Sequence, residues 1–123
     1  MKIAIIDDNP DMRNLLERVI NLMGYIAISA ENGAEGCEKA KEKKPDLILV
    51  DVMMRHMDGC EVARTLRTYP ETKGIPILAT TALSRPSDLD ACLKAGCDDY
   101  IQKPFSCLDL RAKIGELLRS RYI

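Results

Sequence analysis

No apolar run in this chain approaches the roughly 20 residues needed to cross a bilayer, and the acidic pair Asp7-Asp8 arrives before any signal-like stretch develops. No membrane partner is therefore expected, and a cytoplasmic location is. Neither charge sign is in surplus: 18 Lys plus Arg stand against 19 Asp plus Glu, so no overall field favours DNA, RNA or an anionic lipid surface. The five cysteines, Cys37, Cys60, Cys92, Cys97 and Cys107, are odd in number and lack CxxC spacing. That speaks against a disulfide framework and against a zinc site, and leaves free thiols. The one histidine, His56, lies in a polar loop and reads as an exposed side chain, neither ligand nor base. Repeats, linkers and low-complexity segments are missing as well.

What is present suits one domain spanning residues 1–123, with 46% hydrophobic and 30% charged residues. Two short aliphatic runs, Ile3-Ala-Ile-Ile6 and Leu47-Ile-Leu-Val50, stop at carboxylates, Asp7-Asp8 and Asp51. Such runs predict buried parallel strands that deliver charge to one edge of a sheet. Further strands are expected at Tyr25–Ala30, Ile77–Ala79 and Tyr100–Ile101. Helices are expected from Pro10 to Met23 with a stop at Gly24, from Ala34 to about Lys43, after the cap Asp58, from Pro86 to a stop at Gly96 carrying Leu89 and Leu93, and after the S-x-x-D signature Ser106–Asp109. Five strand-then-helix units at short spacing predict an α/β fold with one parallel sheet and helices on both faces. The strand order 2-1-3-4-5 would place the first and third strands side by side at a switch point, where open α/β sheets bind ligands.

In that order Asp7, Asp8 and Asp51 share a site. Aspartates ordinarily titrate near 3.9, and each ionised pair at about 4 Å repels by roughly 4 kcal/mol near a protein surface, so a cation must compensate. An all-oxygen site with room for water favours Mg²⁺ or Mn²⁺ over zinc. Lys103, at the end of the fifth strand, adds a point charge, and a threonine at the end of the fourth adds a hydroxyl, which together could hold phosphoryl oxygens. Asp51, standing alone after the most apolar strand, is the better nucleophile. Side-chain alternation forbids Thr80 and Thr81 from both facing the site, and the residues themselves leave that choice open. An acid before a helix can equally be an N-cap, so capping is the competing reading of Asp8. Asp98, Asp99, Arg111, Arg119 and Arg121 read as a solvated charged face, though opposite signs near the last helix could also serve a dimer or partner contact.

These residues, in this order, resemble the receiver domain of two-component response regulators across essentially the whole chain. Asp7-Asp8 is similar to that family's acidic pair, Asp51 followed by Met57-Asp58-Gly59 to its phosphoacceptor loop, Thr81-Ala82 to its switch threonine and small neighbour, and Lys103-Pro104-Phe105 to its lysine motif. The resemblance favours Thr81 over Thr80 and implies a flavodoxin-like doubly wound (βα)5 fold. It implies a signalling switch rather than a turnover enzyme, in which a sensor histidine kinase or histidine phosphotransfer protein donates phosphate to Asp51. Mg²⁺ would be held by Asp8, Asp51 and the Met53 carbonyl, with Asp7 acting through water. Lys103 and Thr81 would grip the phosphoryl group. Movement of Thr81 would let Tyr100 turn, reshaping the face of the fourth helix, fifth strand and fifth helix for a downstream protein target. A monomer or phosphorylation-promoted dimer, and a cis peptide before Pro104, are implied as well. With no output domain after Ile123, a single-domain regulator is expected, unless the chain is cut from a larger protein.

Two features depart from the family pattern. Arg55 stands where a proline is usual, so the loop loses a fixed φ and gains a charge. By the same resemblance, Met53 and Leu83 would flank the path of the hydrolytic water, and these bulky apolar groups are expected to slow self-dephosphorylation. Arg55 keeps one rival open, a pseudo-receiver that binds partners without carrying phosphate. A flavodoxin-like cofactor carrier is disfavoured because Asp7-Asp8-Asn9-Pro10-Asp11 would repel phosphate, and an aspartate phosphohydrolase because its two acids stand two positions apart on the first strand.

Overall fold

A computed structural model describes residues 1–121; the last two residues of the domain expected over 1–123 lie outside them. Strands and helices alternate without exception: β1 Lys2–Ile6, α1 Pro10–Leu22, β2 Ile26–Ala30, α2 Gly33–Lys43, β3 Leu47–Asp51, α3 Gly59–Leu66, β4 Ile77–Thr81, α4 Pro86–Ala95, β5 Asp99–Gln102 and α5 Cys107–Arg121. All strand pairs are parallel and the order is β2-β1-β3-β4-β5. The expected topology is the observed one. No helix among the described residues is long and apolar enough to cross a membrane.

The helices start where their caps are. Asn9 accepts from the N–H groups of Asp11 and Met12 and Pro10 opens α1, while Asn32 caps Glu35 and Asp58 caps Glu61. Ser106 Oγ accepts from Asp109 N at 3.0 Å. The cap of α1 is thus Asn9 and not Asp8, which leaves Asp8 free for other work. Gly24, at φ +84°, and Gly96, at φ +119°, take the left-handed turns that end α1 and α4.

Alternation along the strands builds two apolar layers. Ala4, Ile6, Ile48, Val50, Ile77 and Ala79 pack against Cys37 and Ala40 of α2, Val62, Ala63 and Leu66 of α3, and Cys92 and Ala95 of α4. Ile3, Ile5, Leu47, Leu49, Leu78 and Ile101 pack against Leu16, Val19 and Ile20 of α1 and Leu110, Ile114 and Leu118 of α5. The inward face of α4 is therefore Cys92 and Ala95, while Leu93 is exposed. All five cysteines are free. Burial pushes the thiols of Cys37 and Cys92 up to about 11 and that of Cys97 up to about 12, so these three stay protonated and inert at neutral pH.

Asp98 and Asp99 are not merely solvated. Asp99 pairs with Lys113 at 2.8 Å. Asp98 Oδ2 lies 2.7 Å from Arg67 Nη2 and accepts from Ile77 N at the start of β4. Arg67 also donates to the carbonyls of Gly96, Lys73 and Ile75. One guanidinium thereby ties the end of α3 to the turns before β4 and β5.

Candidate functional site

The two-residue period of the strands decides what meets at their carboxyl ends. Ile3 and Ile5 face the layer under α1 and α5, and Asp7, two residues on, continues that side; Leu49 is followed in the same way by Asp51, and Ile101 by Lys103. β1 and β3 are neighbours in register through Ile6 and Val50, so the two acids leave adjacent strands at one level. Carboxylate oxygens of Asp7, Asp8 and Asp51 lie within 4.8 Å of one another. Lys103 Nζ stands 3.4 Å from Asp51 Oδ2 and 4.0 Å from Asp7 Oδ2. The Lys103–Pro104 peptide is cis, as the resemblance implied.

Main-chain donors hold the acids in place. Asp7 Oδ1 accepts from Asn9 N at 2.9 Å, Asp51 Oδ1 from Met53 N at 3.1 Å, and Asp8 Oδ2 from Arg55 N at 3.1 Å. A proline at position 55 could not supply the last of these. Arg13 donates to the Asp7 carbonyl at 2.8 Å, pinning the end of β1 from α1. The loop after Asp51 folds back tightly: a Cβ on Gly59 would sit 2.7 Å from the Asp51 carbonyl oxygen and 2.8 Å from Val52 Cα. Only glycine fits there.

Asp7 is 1% exposed and Asp51 6%. Burial, the foremost cause, raises the Asp7 carboxyl above the usual carboxylate range; the Asp51 charge pushes the same way, against the Asn9 N–H and Lys103. Ionised Asp7 consequently counts against the metal-free fold at neutral pH, a cost that disappears as pH falls through its raised range. Its Oδ2 has no hydrogen-bond partner among the described residues. Three clustered carboxylates, all-oxygen donors and an unused buried oxygen fit a hard divalent cation such as Mg²⁺.

Thr81 is fully buried, and its hydroxyl accepts from Leu83 N at 2.9 Å, so it is turned toward its own loop. Its carbonyl accepts from Lys103 N at 2.7 Å, which joins the two strand ends. Tyr100 is half-buried, packed against the core layer that faces α2, α3 and α4, and lines a hollow with Pro86, Leu89 and Leu93 of α4. Met53 is 58% exposed at the mouth of the site, and His56 is exposed at φ +66°. Reading the chain alone missed the Arg55 N–H to Asp8 contact. The signal available was the absence of proline, which restores a donor.

Residues 3–115 match the family model described as response regulator receiver domain. A probable transcriptional regulator ycf27 of Porphyridium aerugineum is 42% identical over 96% of this chain and 48% of its own length. Response regulator MprA of Mycobacterium leprae is 40% identical over 97% of this chain and 51% of its own. The chain thus spans about half the length of these curated relatives. Among solved structures, the receiver domain of the sensor histidine kinase PA1611 of Pseudomonas aeruginosa, with a magnesium ion coordinated in its active-site cleft, superposes with a TM-score of 0.88. It is 28% identical and covers 95% of this chain and 96% of that one.

Proposed function

The chain belongs to the response regulator receiver domain family of two-component signalling, and from that premise we propose that residues 1–123 form one receiver unit in which Asp51 is the phosphoacceptor. Receiver domains are signalling switches, so what matters is a two-state fold and a covalent trigger. An Asp51 carboxylate oxygen attacks the phosphorus of a phosphohistidine, from a sensor kinase or a phosphotransfer protein, or of a small acyl phosphate. The new bond is Asp51 O–P; the bond that breaks is P–N (or P–O), whose electron pair leaves with the imidazole or carboxylate.

The observation that carries this reading is the ammonium of Lys103 at 3.4 Å from the Asp51 carboxylate, inside a trio of acids. Asp7, Asp8, Asp51 and the Met53 carbonyl would hold Mg²⁺, or Mn²⁺, which supplies charge neutralisation for the equatorial oxygens of the transferring group. Lys103 takes one phosphoryl oxygen. Thr81 takes another once its hydroxyl releases Leu83 N, and that rotation opens room beside Tyr100 on the face of α4, β5 and α5. The downstream protein partner reads this face, and no direct contact with nucleic acid is assigned to the unit itself.

Incubation with acetyl phosphate and Mg²⁺ followed by intact mass tests the chemistry. We expect one phosphoryl group on the wild type, labile to hydroxylamine and absent from Asp51→Asn. No added mass on the wild type would overturn the assignment and leave a binding module that carries no phosphate; equal addition to the variant would overturn it by placing the phosphate on another residue.

A further inference from the structure

β4 ends in two threonines, and only Thr81 has a role so far. Thr80 is 1% exposed, and its hydroxyl joins Asp7 Oδ2 as the buried side-chain oxygens without a hydrogen-bond partner among the described residues. It lies on the same side of the sheet as the acids, because Leu78, two residues earlier, packs in the layer under α1 and α5. In register it stands beside Asp51 on one flank and Ile101 on the other. Lys103 leaves the chain two residues beyond Ile101, yet its Nζ reaches Asp51 on β3. With β4 lying between those strands, the lysine side chain has to cross β4 near the position that Thr80 occupies.

We propose that Thr80 is a positioning residue of the phosphoryl-transfer site, its hydroxyl receiving the Lys103 ammonium when positive charge entering the acidic cluster drives that ammonium off Asp7 and Asp51. This deepens the Asp51 reading and rests on it. A dication on the same oxygens carries twice the ammonium's charge and repels it at close range. A desolvated ammonium needs another acceptor within reach of its own stem. The Thr80 hydroxyl offers two lone pairs beside that path. As a neutral acceptor it steadies the lysine without neutralising it, so the full charge remains for the phosphoryl oxygens. A packing role alone gives no reason for the oxygen, since an unpartnered buried hydroxyl disfavours the resting fold where valine, of the same shape, would not.

The test compares wild type, Thr80→Val and Thr80→Ser by calorimetric titration with Mg²⁺ alone, by thermal unfolding without metal, and by the rate of phosphorylation from acetyl phosphate. We expect Thr80→Val to unfold at a higher temperature, to bind Mg²⁺ about tenfold more weakly, and to take phosphate about tenfold more slowly at saturating donor with the half-saturating concentration unchanged, as loss of a hydrogen bond to a charged group implies. Thr80→Ser should recover both within about threefold. Wild-type affinity and rate in Thr80→Val, or a loss that Thr80→Ser does not repair, would overturn the proposal. If the wild type takes no phosphate at all, the Asp51 reading falls and the Mg²⁺ titration alone decides Thr80.

Discussion

β4 carries a charged cluster at each end, and the two differ in how fully their polar groups are used. Where the strand begins, Arg67 and Asp98 spend themselves on one another and on four main-chain partners, the carbonyls of Gly96, Lys73 and Ile75 and the N–H of Ile77. Where it ends, three carboxylates crowd one lysine, and two buried oxygens, on Asp7 and Thr80, have no hydrogen-bond partner among the described residues. Native interiors rarely leave buried polar atoms unbonded, and those left over gather where a ligand will use them. The first cluster serves the fold; the second is held at the fold's expense.

The comparison is broken most easily at Arg67. Replacing it with methionine strips donors from the carbonyls of Gly96, Lys73 and Ile75 and leaves the half-exposed Asp98 with only the Ile77 N–H, and we expect a loss of about 2 kcal/mol in urea unfolding; a loss below about 1 kcal/mol would mean that the two ends do not differ. Phosphorylation of the folded variant should be unaffected. Asp7→Asn should act with the opposite sign. Removing a buried, crowded charge is expected to stabilise the metal-free protein by about 1–2 kcal/mol at neutral pH while weakening Mg²⁺ binding, read by thermal unfolding with and without the ion. The smallest effect is expected at the exposed rim. Met53→Asn should leave stability within about 0.5 kcal/mol but shorten the acyl-phosphate lifetime about threefold, followed by loss of the phosphorylated mass with time; an unchanged or longer lifetime would refute a shielding role for Met53.

The first cluster was scarcely legible in the sequence and the second largely was, for a physical reason. Strand periodicity and the runs ending at Asp7 and Asp51 announce which side and which edge a residue occupies, so the sheet order and the meeting of the acids with Lys103 followed. Asn32, Asp58 and Ser106 likewise announce helix starts through their own side chains. Arg67 carries no such signal: it sits in a polar helix end, and its partners are carbonyls of Lys73, Ile75 and Gly96, groups every residue possesses. Pattern placed α4 between Pro86 and Gly96 with Leu89 and Leu93 on it, but carried no sign that the small Cys92 and Ala95 are its buried residues. Thr80 and Thr81 were inseparable by type alone, since a hydroxyl's partner, or want of one, exists only once neighbouring strands are in register.

The amide of Arg55 gives the segment between β3 and α3 a second anchorage. Its N–H bond to Asp8 fastens that segment to the tip of β1, across 47 positions of sequence. Asp8 cannot shift toward an incoming ion without either pulling residues 53–57 along or letting them go. The lip of the cleft is therefore tied to its floor by a single bond, through which an ion that moved Asp8 would act on the rim before any covalent change.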